Sequence, residues 1–488
     1  MSFEVVWFKR DLRVHDHAPL AKAAAFGPVI PLYIIEPSLL SGADYDPCHW
    51  TFAHGSLLAL RESLARLGQP LVVRQGECVD VLKSLHRTHP IVRLWSHEET
   101  GNGLTYARDR AVAKWARAEN IEWRETPNGG VVRRLKSRDG WSRIRESRMT
   151  EAQSTPPALP KIEIEIGHLP AGPELGLASD HRTMAQPGGE TAAQDLLDSF
   201  LSGRGHGYHR AMSSPATAFD GCSRLSPHLA YGTISTRQVV SRLRETVSQT
   251  EAPGIRRALR AFHARLHWRD HFMQKLEDEP AIEFHNFVRG FDGLRESDHS
   301  EERFAAWAEG RTGYPMVDAC MRCLHQTGWI NFRMRAMLMS FAAYDLWLHW
   351  RPAGLHLARL FVDYEPGIHW SQSQMQSGTT GMNTLRIYSP AKQQQDHDPE
   401  FAFIHRWIPE LRENSGKYPP PIVDHAEAVK EARGRIAEFR RRGAVREEIQ
   451  AVTEKHGSRK RAPRYRTGRR KPDQPILFEA DSGFSDAS

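Results

Sequence analysis

The sequence predicts an α/β domain followed by an all-α domain. Short apolar strands alternate with helices from residue 4 to residue 124, which is typical of a doubly wound, Rossmann-like parallel sheet. Loop-rich sequence with Pro and Gly then interrupts this alternation, and helical periodicity dominates beyond residue 190. We therefore predict an α/β domain at 1–127, a linker at 128–190, a helical domain at 191–455 and a basic disordered tail at 456–488.

The α/β segment contains five predicted strands, at 4–8, 28–35, 70–73, 91–95 and 121–124. Helical spacing of apolar residues predicts helices at 19–25, 52–67, 79–85 and 106–118. Such sheets bind ligands beyond the carboxyl ends of their strands, but no glycine-rich dinucleotide fingerprint follows the first strand. In the linker we expect few regular elements, and we expect its basic residues Arg133, Arg143 and Arg145 to form a solvated face.

Composition limits the classes of protein. The 488 residues carry a net charge of +7, which is compatible with binding to nucleic acid. No apolar run is long enough to span a membrane, and charge within the first few residues is unlike a signal peptide. The five Cys are few and odd in number, which favours a reducing cytoplasm. Cys320 and Cys323 form a CxxC on a helical pattern, and we predict neither a redox pair nor a metal site there.

The stretch 304–390 combines aromatic and charged residues inside a pattern of buried helices. Five of the thirteen Trp lie in it, namely Trp307, Trp329, Trp347, Trp350 and Trp370. Buried charges are costly unless they are paired, so we predict an ion pair between Arg335 and Asp363, with a polar cofactor satisfying other charges. The alternative is that a large helical domain simply buries its Trp side chains.

A second polar motif precedes a predicted helix that begins near Pro227. Ser223, Arg224 and Ser226 offer hydroxyls, backbone N–H groups and a cation, which suit a pyrophosphate at a helix N-terminus. Ser before Pro is also an ordinary way to begin a helix.

Several of these motifs, at matching spacing, resemble the photolyase/cryptochrome family. They are W-F-x-x-D-L-R at 7–13, S-R-L-S-P at 223–227, W-R-D at 268–270 and W-x-x-G-x-T-G-Y-P at 307–315. The resemblance covers about residues 3–411 and implies FAD as cofactor and ultraviolet-damaged DNA as partner. It also implies that the α/β domain can hold a second, antenna chromophore of unknown identity. Residues 97–102 follow the fourth strand, where such a ligand would sit, although a solvated turn is the alternative.

The resemblance assigns site residues by position. It implies an FAD site formed by Tyr208, Ser223, Arg224, Leu225, Ser226, Phe262, Arg265, Arg269, Arg335, Asp363 and Glu365. It implies an electron-transfer chain of Trp370, Trp350 and Trp307, from inner to outer member. The DNA side would carry Trp268, Arg265 and Phe332.

Three departures from the family pattern concern the substrate side. Arg265 stands where photolyases carry Glu or Gln, and Phe332 stands near where repair enzymes carry Asn or His. The turn after Asp363 is shortened, so that His369 or a neighbour would face flavin N5, or His369 is an ordinary structural residue. A salt bridge from Arg265 to Asp270 or Glu365, without a ligand role, is also open.

Two functions from different classes follow. The first is a light-driven DNA photolyase, which Trp268, the basic surface and the complete flavin motifs favour. The second is a cryptochrome-like photoreceptor with a signalling partner, which Arg265 and Phe332 favour. A weaker third interpretation is a flavoprotein that binds DNA without productive photochemistry. We place photolyase first.

Overall fold

The protein was analysed as a computed structural model, which describes residues 2–382, 384–413 and 416–456. Within these ranges one sheet of five parallel strands has the order β3-β2-β1-β4-β5. The strands are β1 (Phe3–Phe8), β2 (Val29–Ile35), β3 (Val72–Gln75), β4 (Ile91–His97) and β5 (Glu122–Thr126). Strand order reverses between β1 and β4, so the carboxyl ends of these two strands form the crevice that is typical of ligand sites in such sheets. The predicted doubly wound sheet is confirmed.

Helices cover both faces of the sheet, which explains why its strands are apolar on both sides. These helices are α1 (Ala18–Ala24), α2 (Pro37–Leu40), α3 (Pro47–Arg66), α4 (Cys78–Thr88) and α5 (Gly103–Ala118). Val5 and Leu94 pack with Val112 of α5 on one face, whereas Val6 packs with Leu57 of α3 on the other.

The linker is more ordered than we predicted. It contains α6 (Trp141–Thr150) and a short 3-10 helix at Gly172–Leu175. Arg145 of α6 is only 1% exposed, and its Nε donates to Asp270 Oδ2 at 2.7 Å. The prediction of a solvated basic face was therefore wrong at Arg145, because its guanidinium forms a buried ion pair with a carboxylate that is distant in sequence. Farther on, the linker runs beside β3, where the Val73 amide donates to the carbonyl of Ile166 at 2.8 Å.

The remainder of the described chain is helical, as predicted. Its helices are α7 (Glu190–Ser202), α8 (Tyr208–Ala211), α9 (Pro215–Gly221), α10 (Ser226–Tyr231), α11 (Thr236–Gln249), α12 (Pro253–Asp278), α13 (Glu301–Ala308), α14 (Pro315–Thr327), α15 (Phe332–Ser340), α16 (Trp350–Leu360), α17 (Pro366–Ser377), α18 (Pro390–His397), α19 (Ala402–Trp407), α20 (Pro409–Arg412), α21 (His425–Arg441) and α22 (Gly443–His456). Further 3-10 turns occur at Arg204–Gly207, Pro280–Glu283 and Arg289–Phe291, and a π-helical turn at Phe341–Asp345. Helices α13 to α17 and α19 contribute to the largest apolar cluster.

Helix α21 packs against the π-helical turn, and α22 packs against α21 and the 3-10 turn at Arg289–Phe291. Ile436 of α21 and Val445 of α22 belong to one apolar cluster with Trp347. His425, the first residue of α21, bonds to the Asp345 carboxylate. The predicted basic tail, apart from His456, lies outside the described residues.

Every helix that the structure describes is too short or too polar to cross a bilayer. All five cysteines are buried free thiols.

Candidate cofactor site

The predicted phosphate loop turns sharply just before α10. Arg224 has a φ of 60°, the left-handed region that side chains other than glycine seldom adopt. Its neighbours Ser223 and Leu225 are buried, and the Ser223 hydroxyl lies 3.4 Å from the Leu225 amide that donates to it. The Trp329 indole N–H donates to the Ser226 hydroxyl at 3.0 Å. The loop is therefore fixed by the segment between α14 and α15 as well as by a bond within the loop itself.

The Arg224 guanidinium is held between aromatic rings. It lies 4.1 Å from the centre of the Trp329 ring and 4.6 Å from that of Phe219. Burial lowers the pKa of Arg224 to about 10, and the charge of Asp363 opposes that shift only in part. In the described part of the chain, Arg224 forms no ion pair with a carboxylate. Its positive charge therefore remains available to an anionic ligand.

The Arg335–Asp363 pair forms as predicted. Arg335 Nη1 donates to Asp363 Oδ1 at 2.9 Å and Nη2 to Oδ2 at 2.8 Å, a two-pronged arrangement. The Asp363 side chain is 3% exposed and that of Arg335 26%. The guanidinium also lies 4.1 Å from the Phe361 ring centre and donates to the Ile330 carbonyl at 2.7 Å. A planar pair in this position offers donors and an acceptor to a flat polar ligand.

Glu365 is a second buried carboxylate nearby. Its Oε2 lies 3.5 Å from Arg269 Nη2 and 3.9 Å from Arg10 Nη2. Its Oε1 is buried and has no hydrogen-bond partner among the described residues. Burial raises the pKa of Glu365, with Arg10 and Arg269 opposing the rise. An unsatisfied buried oxygen is costly, so this site suits a ligand that donates a hydrogen bond.

Aromatic residues of α7, α8 and α12 pack together beside the predicted cofactor site. Tyr208 and Phe262 are buried with ring centres 5.5 Å apart, and Phe200 contacts both rings. Arg265, one turn beyond Phe262 on α12, places its guanidinium 4.3 Å from the Phe332 ring centre. The positions predicted on α8, α12 and α15 are thus brought together.

The two carboxylates considered as partners of Arg265 are close to other cations. Asp270 bonds to Arg145 and Glu365 lies near Arg10 and Arg269. Arg265 instead lies 3.7 Å from the Met212 sulfur and interacts with the Tyr208 hydroxyl. Its head group therefore stays beside the aromatic residues at this end of α12.

Two of the three predicted electron-transfer tryptophans are in contact. The Trp350 and Trp370 rings are edge to face with centres 5.8 Å apart, and both side chains are fully buried. Trp350 is fixed by a 2.8 Å hydrogen bond from its indole N–H to Asn286 Oδ1.

Trp307 is placed differently. In the described structure its ring contacts are Phe304 and His356, at 6.1 Å and 5.5 Å between centres. It is 0% exposed, although an outer member of an electron chain is expected to reach the surface. Its predicted role as outer member therefore gains no support from ring contacts.

Comparison with known proteins agrees with this geometry. A family model described as "DNA photolyase" matches residues 4–137, and one described as "FAD binding domain of DNA photolyase" matches residues 262–418. The deoxyribodipyrimidine photo-lyase of Agrobacterium fabrum is 30% identical over 478 residues, which cover 88% of this chain and 96% of that protein. The chain belongs to the photolyase/cryptochrome family.

Solved structures of the family share its architecture. A class III photolyase from Agrobacterium tumefaciens has a TM-score of 0.80 at 28% identity, covering 91% of this chain and 98% of that chain. An archaeal photolyase from Sulfolobus tokodaii, solved with two FAD molecules, has a TM-score of 0.75 at 26% identity and covers 89% and 100%. The predicted combination of an α/β domain and a helical domain is thereby confirmed.

Trp268, which the family pattern places on the DNA side, projects from α12 three residues after Arg265. Its half-exposed ring lies 5.2 Å from His271 and 5.8 Å from Phe272 between centres. A spacing of three residues keeps Arg265 and Trp268 on one side of the helix.

His369, considered as a neighbour of flavin N5, is a firmly bonded residue. Its Nε2 lies 2.7 Å from the Gly354 carbonyl, and its ring packs against Tyr364 and Trp370. Burial lowers its pKa to about 4, so the imidazole is neutral near pH 7. These contacts support the structural interpretation of His369.

The crevice at the carboxyl ends of β1 and β4, where an antenna chromophore was expected, is filled by charged side chains. Lys9 Nζ lies 3.4 Å from Asp109 and 3.7 Å from Glu99, and Arg108 Nη1 lies 3.0 Å from Glu36. The cavity that remains is about 60 Å³, whereas sites for small molecules are roughly 300–1,000 Å³. The crevice as described therefore gives the predicted second chromophore no support, and that chromophore stays a prediction.

Beside it, three buried groups that resemble metal ligands are bonded to one another. His17 Nε2 and His97 Nδ1 lie 2.9 Å and 2.7 Å from Asp11 Oδ2. The Leu20 amide donates to His17 Nδ1 at 3.1 Å, which leaves the ring proton on Nε2, facing Asp11. This arrangement favours a hydrogen-bonded cluster over metal coordination through His17.

Sequence reasoning missed two residues that contact the site. Arg10, just after β1, donates to the Tyr364 carbonyl at 2.7 Å and so joins the α/β domain to the segment that carries Asp363 and Glu365. It lies within the opening motif, which could have suggested a role. Gln186 of the linker bonds to Arg224. It lies outside the quoted motifs.

Proposed function

We propose that this protein is a light-driven DNA photolyase that uses FAD to split pyrimidine dimers. The observation that carries the proposal is the convergence of the predicted FAD residues on one region of the helical domain. The Ser226 hydroxyl accepts a hydrogen bond from Trp329. Arg335 forms an ion pair with Asp363, and Arg269 lies beside Glu365. The relationship to deoxyribodipyrimidine photo-lyases over most of the chain supports the reaction.

The residues present fit FAD. Ser223, Arg224 and Ser226 would hold the diphosphate, for which the unpaired Arg224 charge is suited. Arg335 and Asp363 would meet the polar edge of the flavin ring, and the unsatisfied oxygen of Glu365 would accept a hydrogen bond from the cofactor. When bound and reduced, the cofactor supplies the electron that blue light transfers to the dimer.

The buried tryptophans would maintain the cofactor for this reaction. Trp350 and Trp370 are in ring contact, and indole is readily oxidised by one electron, so the pair can relay an electron toward the site. Both rings are shielded from water, which favours transfer between them over reaction with solvent.

On the substrate side, Arg265 and Trp268 would act on DNA. A flipped base stacks on aromatic rings, and Trp268 offers a half-exposed one. The Arg265 guanidinium donates hydrogen bonds and accepts none, so it would bind phosphate or base carbonyl oxygens. Phe332, against which Arg265 lies, would fix its orientation.

A cryptochrome-like photoreceptor is the second candidate. The Arg265–Phe332 stack favours it, because it replaces the polar contacts that repair enzymes of the family direct at the lesion. In that function a change in flavin charge would bias a contact with a signalling partner. Free buried thiols support the cytoplasm as the compartment for either function.

The deciding experiment is repair of an oligonucleotide with one defined lesion. We expect loss of cyclobutane or (6-4) dimers under blue light and none in the dark. Full FAD occupancy with no repair of either lesion would refute the photolyase proposal and favour the photoreceptor. The absorption spectrum of the purified protein tests the predicted second chromophore, because bands beyond those of flavin would reveal it.

A further inference from the structure

Gln186, in the linker, bonds to Arg224 at both its side chain and its backbone. The Gln186 Oε1 accepts from Arg224 Nη2 at 2.7 Å and from Nε at 3.1 Å. The Gln186 Nε2 donates to the Arg224 carbonyl at 2.9 Å. One amide therefore orients the guanidinium and restrains the peptide of the same residue, 38 positions farther along the chain.

The Arg224 backbone makes this restraint important. A left-handed conformation is unfavourable for an arginine, so the surroundings must hold it. The bond to the carbonyl comes from outside the loop, and it fixes the peptide next to Ser223 and Leu225. Without it, the loop can relax toward more favourable backbone angles.

The linker is itself anchored on either side of Gln186. Arg182 Nη1 donates to Asp46 Oδ1, next to α3, at 3.0 Å. The Gly189 amide donates to the Ser56 hydroxyl of α3 at 3.1 Å. At Gly188 a Cβ atom would lie 2.4 Å from the Phe52 carbonyl oxygen, so only glycine permits this close approach. Gln186 thus projects from a segment held against the α/β domain.

The neutrality of the amide also matters. Arg224 has no carboxylate partner within the described ranges, and Gln186 accepts from its Nε and Nη2 without cancelling its charge. A Glu in the same position would also accept from the guanidinium, but it would neutralise the cation and could not donate to the Arg224 carbonyl. A glutamine therefore orients the Arg224 guanidinium and leaves its positive charge to attract an anion.

We propose that Gln186 is a positioning residue for the cofactor diphosphate, acting through Arg224. It holds the guanidinium and the phosphate loop in the binding arrangement and leaves the positive charge to the ligand. The linker thereby contributes to FAD affinity as well as joining the domains. This inference rests on the proposed role of the loop in binding FAD.

The test measures the rate of FAD release from the purified full-length protein in the dark. Gln186→Met keeps the length of the side chain and removes its hydrogen bonds, so we expect release to accelerate about tenfold. Gln186→Glu should accelerate release as well, because a carboxylate neutralises Arg224 and cannot donate to its carbonyl. Thr183→Ala is the matched control, because Thr183 is an exposed linker residue whose hydroxyl donates to Gln326 at 3.4 Å and to no other described residue. Its release rate should equal that of the wild type.

A double-mutant cycle separates positioning from general stability. If Gln186 acts through Arg224, Gln186→Met should accelerate release less in the Arg224→Ala protein than in the wild type, because only its bond to the backbone carbonyl of residue 224 is left to lose there. Additive effects, or wild-type release from both Gln186 variants, would overturn the inference. Unchanged far-ultraviolet circular dichroism establishes folding, and Gln186→Glu remains informative if Gln186→Met misfolds. A wild-type protein that binds no FAD refutes the proposed function and this inference together, whereas a wild type that binds FAD with unaffected variants refutes the inference alone.

Discussion

Removal of the Asp363 carboxylate tests the Arg335–Asp363 pair most directly. Asp363→Ala eliminates both hydrogen bonds of the fork and leaves the guanidinium with the Ile330 carbonyl and the Phe361 ring. Breaking a buried ion pair costs about 3–5 kcal/mol, because one charge is left uncompensated. Since the Arg335 side chain is 26% exposed, water reaches part of the freed group, and we expect the lower end of that range. A loss of about 3 kcal/mol corresponds to roughly a 150-fold change in an equilibrium constant.

The assay combines urea unfolding of the FAD-free protein with the FAD content of the purified variant. We expect a lower unfolding free energy and reduced occupancy. The control is Asp198→Ala, which breaks an exposed pair with Arg242 whose side chains are 56% and 46% exposed. Such pairs contribute about 0–1 kcal/mol, so the control should behave almost as the wild type does. An Asp363→Ala protein with full FAD occupancy and an unfolding free energy within about 1 kcal/mol of the wild type would refute the reasoning.

Three other predictions concern electron transfer, the substrate side and the C-terminal helices. Trp350→Phe keeps an aromatic ring but removes the oxidisable indole, so photoreduction with an external reductant should slow at least about tenfold. An unchanged rate would exclude this route. The photoreduction rate of Trp307→Phe tests whether Trp307 is the outer member of the chain. Arg265→Glu reverses a charge, so DNA affinity should fall and its salt dependence should weaken. Unchanged affinity and salt dependence would show that Arg265 does not contact DNA. A gain of dimer repair would show that the wild type lacks that activity. The hydrogen bond to Asp345 raises the pKa of His425. Protonated His425 therefore stabilises α21 below about pH 6.5, and this stabilisation is lost as the pH rises through the raised pKa. Hydrogen-exchange protection of α21 should fall from pH 6 to pH 8 in the wild type but not in His425→Gln.

Local patterns were sufficient for much of the fold. The apolar runs at β1 and β2 and the helical periodicity of α5 predicted elements close to the observed ones, because burial on a sheet or helix face imposes those patterns. The Arg335–Asp363 pair could be predicted because an unpaired charge in a buried helical segment is costly, which favours pairing with an opposite charge nearby.

Contacts between distant segments could not be predicted in this way. Arg145 and Asp270 are separated by 125 residues, and nothing local shows that α6 brings a basic residue to α12. The partnership of Gln186 with Arg224 likewise depends on how the linker crosses α3. Family spacing placed Trp307 in an electron chain, but its burial depends on packing that spacing alone does not define.

The contact between the linker and β3 has a consequence for handling the protein. Strand β3 ends the sheet, and an uncovered end strand offers free N–H and C=O groups to other chains. Hydrogen bonds such as that from Val73 to Ile166 occupy part of this row. A protease that cuts between Leu159 and Ile166 would therefore do more than loosen the two domains. It would uncover a template for strand addition, and the nicked protein should aggregate at concentrations at which the intact chain stays monodisperse.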